Sequence, residues 1–205
     1  MNPKKLMKSV KALSGWRETA FLLALVERSL PNIRLFLEST DRLDVDPEFF
    51  PKGFSSLLDS SWQSGVMAPN DESLVLCLDT VAAHFVEDAE TAFGAIPCNL
   101  GLSLWELALL SALNRDKKRA EEGSQLSITS VTEFLEFSEG EGLDENDLIR
   151  LFEKHDLMAR EFSFQQELCD ILRSADKLSK DLMIQIRTLA HDDGVSNLGI
   201  SLEEE

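Results

Sequence analysis

Residues 144–190 read DENDLIRLFEKHDLMAREFSFQQELCDILRSADKLSKDLMIQIRTLA and contain neither proline nor glycine. All six prolines of the 205-residue chain lie within its first 97 residues, so the strongest helix breaker is absent from the remainder. One unbroken helix over 144–190 would be about 70 Å long, whereas a compact chain of this size has a radius of gyration of about 17 Å. We therefore expect a break at His155 and Asp156, where the imidazole ends one helix and the aspartate caps the next. The segment after the break is then a long C-terminal helix.

Helical signals continue from this segment towards the N-terminus. Asp46-Pro47-Glu48 predicts a helix start, with the helix running to about residue 64. Pro31 predicts the first turn of a helix that is separate from its predecessor. Residues 125–138 carry β-branched side chains, but their apolar spacing fits a helix rather than a strand. The remaining expected helices cover 3–13, 16–30, 31–41, 71–82 and 97–114. Together these segments predict a single all-α domain over residues 1–205, built as an antiparallel, up-down helical bundle.

Charge and composition exclude several classes of partner. The formal net charge is −17, although residues 1–17 hold five basic residues and no acidic one. A protein with so large a negative charge repels a phosphate backbone, and we expect no nucleic-acid partner. The three widely spaced cysteines favour a reducing cytoplasm over a disulfide framework. The composition is that of an acidic, bacterial-type cytoplasmic protein.

Two segments invite a membrane interpretation. The basic N-terminus is followed by an apolar run that is too short for a secretion signal. Residues 94–114 carry a single charge and are long enough to span a bilayer, but Pro97 and Asn99 suit its interior poorly. We expect a buried central helix here and no membrane insertion.

The sequence carries no catalytic, cofactor-binding or metal-binding motif. It has no Gly-x-Ser-x-Gly elbow and no glycine-rich phosphate loop, and no histidine follows a glutamate in Glu-x-x-His spacing. His155-Asp156 and His191-Asp192 resemble the pairs of metal phosphohydrolases, but both lie at expected helix ends, where capping explains them. We expect no catalytic residue, no cofactor and no metal.

Two carboxylates occupy positions where apolar side chains are expected. Glu27 falls on one helical face with Trp16, Leu23 and Leu30, and Glu106 is surrounded in the sequence by leucines. A buried carboxylate is costly without a partner, and it can perform acid–base chemistry when its pKa is displaced. Each is expected either to pair with a cation, to reach the surface, or to line a pocket.

Three further stretches lie near the start, centre and end of the chain. They are Trp16 with Glu27-Arg28 and Pro31-Asn32, Ser127-Ile128-Thr129-Ser130-Val131, and Ser196-Asn197-Leu198-Gly199-Ile200. Together they resemble the YjaG family, a bacterial family of uncharacterised all-helical proteins. The resemblance implies a helical fold and implies no activity, cofactor or catalytic residue. It also indicates a candidate cluster that forms if the two ends of the chain pack together, and the members of that cluster are Glu27, Arg28, Asn32, Ser196 and Asn197.

Glu106 is a further candidate outside that cluster. The alternative is that all these side chains only stabilise the fold, with Glu27 paired in the core, Asn32 at a helix start and residues 196–199 forming a turn.

Extensive helical surface without a coherent catalytic set predicts a cytoplasmic interaction or scaffold protein, which binds a protein partner through a helical face. The alternative is a small-ligand-binding protein or an enzyme with a carboxylate-containing pocket inside the bundle. That alternative requires a pocket into which at least two of Glu27, Arg28 and Glu106 point. A homo-oligomer stays open, since a long apolar stripe on the last helix would favour a dimer.

Overall fold

The computed structural model describes residues 3–42, 45–87 and 94–202. Within these ranges the chain is all-helical, with nine α-helices, no strand, and an isolated antiparallel bridge between Val195 and Ser201. The helices are α1 Pro3–Lys11, α2 Trp16–Ser39, α3 Phe54–Trp62, α4 Asp71–Ala82, α5 Ala95–Leu113, α6 Ala120–Glu139, α7 Glu145–Lys154, α8 Asp156–Ser174 and α9 Lys180–His191. A π-helical turn, Gln63–Met67, extends α3, and a short 3-10 turn, Asp192–Gly194, follows α9.

The core is built around α2 and α5, which form the most extensive helix pair. α2 buries side chains around most of its circumference, and α5 contributes Trp105, which is fully buried. Gly101 allows the two helices to approach closely, because a Cβ atom there would lie only 2.8 Å from Cγ1 of Ile33. α5 is long and apolar enough to cross a membrane by length and composition, yet half of that apolar window is buried against neighbouring helices.

The helical segment over residues 144–190 is interrupted at two places instead of the one that the sequence predicts. The break at His155 is confirmed, but His155 itself caps α8, since its Nδ1 accepts the N–H of Leu157 at 3.1 Å. The expected long C-terminal helix is wrong, because α8 ends at Ser174 and α9 begins at Lys180 after its cap, Ser179. Capping on both sides of residues 175–179 ends one helix and starts the next.

A distant side chain explains why α8 ends where it does. Arg17 donates from Nε to the carbonyl of Leu172 at 2.9 Å and from Nη2 to the carbonyl of Ala175 at 2.6 Å. The last carbonyls of a helix have no partner within the helix, so such donors stabilise its end. On the other side of the gap, Ser179 accepts the N–H of Leu182 at 3.1 Å and begins α9.

Two proline-based predictions in the N-terminal half are wrong. Pro31 lies inside α2, which continues to Ser39 instead of ending before it. Burial of α2 on several sides compensates for the backbone hydrogen bond that proline cannot make. Asp46 accepts the N–H of Glu48 at 2.9 Å and so stabilises a turn, while the helix itself begins later, at Phe54.

The helical interpretation of residues 125–138 is confirmed, although α6 begins five residues earlier, at Ala120. The carboxylate of Glu18 on α2 accepts the N–H groups of Arg119 and Ala120, the latter at 3.0 Å. A carboxylate at a helix N-terminus satisfies free N–H groups and complements the helix dipole. The start of α6 is therefore set by a residue of α2.

Candidate functional site

Glu27 is paired inside the protein. Its side chain, 8% exposed, accepts the indole N–H of Trp62 at 2.9 Å and the Nε–H of Arg187, which lies 3.0 Å from both carboxylate oxygens. Arg187 also donates to Asp59 at 2.8 Å. Burial raises the pKa of the Glu27 carboxyl above its ordinary value, while Arg187 and Trp62 oppose the shift. The predicted need for a partner is met by residues of α3 and α9.

Arg28, the next residue on α2, is the centre of a second cluster. It is 4% exposed and contacts Glu161 of α8 at 3.4 Å and Asp192 at 3.1 Å. Its guanidinium carbon also lies 4.5 Å from the centre of the Phe164 ring, in a cation–π arrangement. Arg160 reaches the same Asp192 oxygen at 2.9 Å. The cluster thus joins α2, α8 and the turn after α9.

Glu161 is fully buried, and both of its oxygens have partners. Oε2 faces Arg28, while Oε1 accepts the hydroxyl of Ser127 and the amide N–H of Gln165, each at 2.6 Å. Gln165 in turn accepts the hydroxyl of Ser124 at 2.5 Å. Buried polar networks of this kind stabilise a fold only when their members are satisfied. Glu161 therefore ties α6 and α8 to α2.

Asp192 marks the outer edge of this cluster. Although its partial burial raises the pKa, the hydrogen bond from Arg160 and the charge of Arg28 hold the pKa of Asp192 below its ordinary value. The residue adopts a positive φ of 45° as it ends α9. Left-handed backbone at this position turns the chain back towards α2.

The segment after Asp192 returns to α2, as the predicted convergence of the chain ends requires. The Nδ2–H of Asn32 donates to Oδ1 of Asn197 at 2.8 Å. Ser196 accepts the N–H groups of Leu198 and Ile200, both at 3.1 Å. Oδ1 of Asn32 and Nδ2 of Asn197 are buried without a hydrogen-bond partner. Five of the six candidates thus lie on α2 or in the turn that packs on it, although Glu27 and Arg28 belong to separate clusters.

Glu106 is the candidate that belongs to neither cluster and lies outside the turn after α9. It lies half-buried on α5 and forms no ion pair or hydrogen bond with any side chain in the part of the chain that the structure describes. Two buried or half-buried arginines have other partners: Arg17 binds the end of α8 and Arg28 binds Glu161. Its neighbours Leu104, Trp105 and Leu109 are buried in the core, whereas its own side chain is only half-buried.

Most partners of these residues carry no signal in the sequence, and Glu161 is the exception. Glu161 falls in the buried stripe of α8 with Met158, Phe164 and Leu168, so the spacing argument that identified Glu27 identifies it equally. Trp62 and Arg187 could not be found in this way, because each lies far from Glu27 in the sequence and no local pattern links it to Glu27.

The buried carboxylates and thiols of the described residues are not available for acid–base or nucleophilic chemistry. The carboxylates of Glu27 and Glu161 are occupied by donors, and the buried thiols are inert, since burial raises the pKa of Cys98 and that of Cys169 to about 12. Within the described ranges no group of three or more histidine, cysteine, aspartate or glutamate residues could hold a metal ion. The clustered charges can therefore hold helices together, and they face one another instead of a reactant.

A groove lies elsewhere, on the outer surface between α1 and α8. Its volume is about 730 Å³, and it is open to solvent. Leu6, Phe162 and Ile171 give it apolar walls, while its charged lining consists of Lys5 on α1 and of Glu167 and Asp170 on α8. None of the six predicted residues lines this groove.

Comparison with known proteins gives a family and two relatives. Residues 5–201 match the model of a family described as protein of unknown function, DUF416. An uncharacterised protein of Haemophilus influenzae is 24% identical over 201 residues, which cover 96% of this chain and 97% of that protein. The crystal structure of a DUF416 family protein from Shewanella baltica superposes with a TM-score of 0.81 at 26% identity, covering 96% of this chain and 98% of that one.

The expected YjaG-like family is wrong, because the family model that matches nearly the whole chain is DUF416. The motifs behind that expectation are short, and the structure accounts for several of them by packing. Asn32 and Asn197 bind each other, Arg28 is paired, and Ser196 forms a turn.

Proposed function

Because the chain belongs to the DUF416 family, whose function is unknown, we propose its role from the geometry: it is an interaction protein that binds a protein partner through the groove between α1 and α8. The observation behind this proposal is the separation of the two features. The paired charges lie inside, and the open, largely apolar groove lies outside and is not lined by them. The proposal includes no catalytic residue and no cofactor.

The groove has the dimensions of a helix-binding site. Its α8 wall extends from Ala159 to Ser174, which corresponds to about 22 Å at 1.5 Å per residue. Phe162 and Ile171 are half-buried, so each offers apolar surface that a partner would remove from water. Amphipathic helices bind grooves of this length through side chains spaced three and four residues apart.

The alternative, a small-ligand-binding protein or enzyme around Glu27, Arg28 or Glu106, receives less support. It requires two of these groups to point into one pocket. Glu27 and Arg28 are instead directed at Arg187 and Glu161, and Glu106 belongs to neither cluster.

We propose further that the nine described helices form an antiparallel bundle. The hydroxyls of Thr19, early in α2, and Ser111, late in α5, lie 3.2 Å apart, while Ile33, late in α2, packs at Gly101, early in α5. Contacts that pair early positions with late positions support opposite directions for these two helices.

The proposed environment is the bacterial cytoplasm. The three cysteines are free and buried, which suits a reducing compartment. The charge of −17 disfavours nucleic acid and favours a basic protein partner. Whether the chain also forms a homo-oligomer is a question for light scattering.

Affinity purification of the full chain from its native cells at physiological salt tests the proposal. We expect a stoichiometric protein partner with the natural chain and loss of that partner with Ser163→Arg, which places a large charged side chain at an exposed position in the groove. Ser138→Arg, at an exposed position on α6, is the matched control and should retain the partner. Recovery of a metabolite or metal without any stoichiometric protein would overturn the proposal.

A further inference from the structure

The groove between α1 and α8 has walls of different character, and this difference restricts what it can bind. Leu6 of α1 and Phe162 and Ile171 of α8 form the apolar part. Charged side chains lie on both sides, with Lys5 on α1 and the exposed carboxylates of Glu167 and Asp170 on α8. The two acidic residues are three apart on one helix, so they face the same side of the groove. An occupant therefore meets apolar surface and negative charge at once.

We propose that the occupant is an amphipathic helix of a partner protein that carries basic residues along the flank facing Glu167 and Asp170. This inference rests on the proposed function, and it adds the chemistry of the partner. Charge complementarity is its main support, because lysine or arginine on that flank would pair with the two carboxylates, whereas acidic residues would be repelled.

The net charge of the molecule, −17, favours the approach of a basic partner and accelerates its association. Screening limits this attraction to about 8 Å at physiological salt, and the basic residues of α1 oppose it on their own side of the groove, so the basic flank of the partner faces α8. A second copy of this chain would bring the same negative charge and is disfavoured as the occupant.

The shape of the α8 wall fits a helix lying alongside it. Ala159, Ser163 and Ser174 are small side chains at exposed positions of this wall. Small residues permit close approach of a neighbouring backbone, and the half-buried Phe162 and Ile171, one on each side of this row, provide the apolar contact. A partner helix of about 16 residues spans a wall of this length.

Two synthetic peptides test the inference with the full chain. Both are about 16 residues long and share one leucine face; one carries lysines on its flanks and the other glutamates. We expect the lysine peptide to bind at least about tenfold more tightly, as measured by fluorescence anisotropy, and its affinity to fall as salt is raised. Equal binding of the two peptides, or binding of neither, would overturn the inference.

Charge reversal separates the groove from the overall field. Glu167→Lys with Asp170→Lys should weaken the lysine peptide about tenfold and improve the glutamate peptide. Glu133→Lys with Glu136→Lys on α6, also at exposed positions, changes the net charge equally outside the groove and should have a much smaller effect. Equal weakening by the two double variants would show that only net charge matters and would refute the site.

The two proposals fail in different ways. If Ser163→Arg loses the native partner while neither peptide discriminates, the groove binds a protein but the partner is not a basic helix. If the native chain recovers no protein partner, the proposed function itself fails.

Discussion

The inner and outer faces of α8 carry the same kind of side chain under opposite conditions. On the inner face Glu161 is completely buried and meets Arg28, Ser127 and Gln165. On the outer face Glu167, less than two turns away, is exposed at the groove. Removal from water obliges the first carboxylate to take partners from its own chain, whereas the second keeps its hydration and stays available to another molecule. The position of a carboxylate on the helix therefore decides whether it serves the fold or binding.

The largest expected effect comes from the inner face. Glu161→Ala removes the fully buried partner of Arg28 and the acceptor of Ser127 and Gln165. We therefore expect the free energy of unfolding to fall by about 3–5 kcal/mol in urea titrations. Glu167→Ala on the outer face is the matched control and should change the value by less than about 0.5 kcal/mol. Equal effects of the two substitutions would remove the distinction between the faces.

Glu27 should show an intermediate effect. Glu27→Ala deprives the buried indole N–H of Trp62 of its acceptor and removes one partner of Arg187. We expect a loss of about 2 kcal/mol, less than for Glu161, because Arg187 is 28% exposed and keeps Asp59. Thermal and urea unfolding would measure the difference, and a larger loss than for Glu161→Ala would contradict the ranking by burial.

Asp192 links the comparison to pH. Its pKa in the folded chain lies below the ordinary value of 3.8, so its contribution to stability is present above that value and is lost as the pH falls through the folded pKa. The stability difference between the natural chain and Asp192→Asn should therefore be constant above about pH 5 and shrink as the pH falls below 3.8 towards the folded pKa. The total change should be less than about 1 kcal/mol because the side chain is partly exposed.

Asp193→Asn is the control for this measurement. Asp193 has a similar left-handed backbone, with φ of 54° against 45° at Asp192, and asparagine tolerates that conformation. It forms no ion pair with the described residues, so its substitution should leave the pH dependence unchanged. Glu27 contributes with the opposite sign, since its pKa is raised, but it is present in both chains and cancels in the comparison.

The smallest expected effect on stability belongs to the groove. Glu167→Lys with Asp170→Lys should change the free energy of unfolding by less than about 0.5 kcal/mol, since the hydrogen bond from Gln166 to Asp170 is exposed. Circular dichroism during urea unfolding would detect a larger change. A loss close to that of Glu161→Ala would mean that the outer face also holds the fold.

The sequence could predict whatever depends on near neighbours. The helical character of the chain, the break at His155 and the burial of Glu27 all follow from periodicity and local capping. The end of α8 could not be predicted in this way, because it depends on Arg17, which is 155 residues from Leu172. The partners of Glu27 escaped for the same reason, since Arg187 is 160 residues away from it.

The candidate residues also differ in how well the sequence predicts their surroundings. The convergence of Asn32 with Asn197 was anticipated as a consequence of the two chain ends packing together, and the two amides do meet. Glu106 was selected because its sequence neighbours are apolar, but a half-buried position at the edge of α5 satisfies the same pattern. The composition of the flanking sequence indicates whether a helix is buried. The angular position of a residue around the helix axis determines whether its own side chain is buried.

The carboxylate of Glu18 at the start of α6 has a consequence for the order in which the molecule assembles. A ribosome releases α2 about 100 residues before α6, so the group that caps α6 is already synthesised when the N–H groups that need it emerge. A fragment lacking α2 would have to begin α6 without this cap, and its first turn would fray. α2 therefore supplies, before α6 is synthesised, the carboxylate that stabilises the first turn of α6.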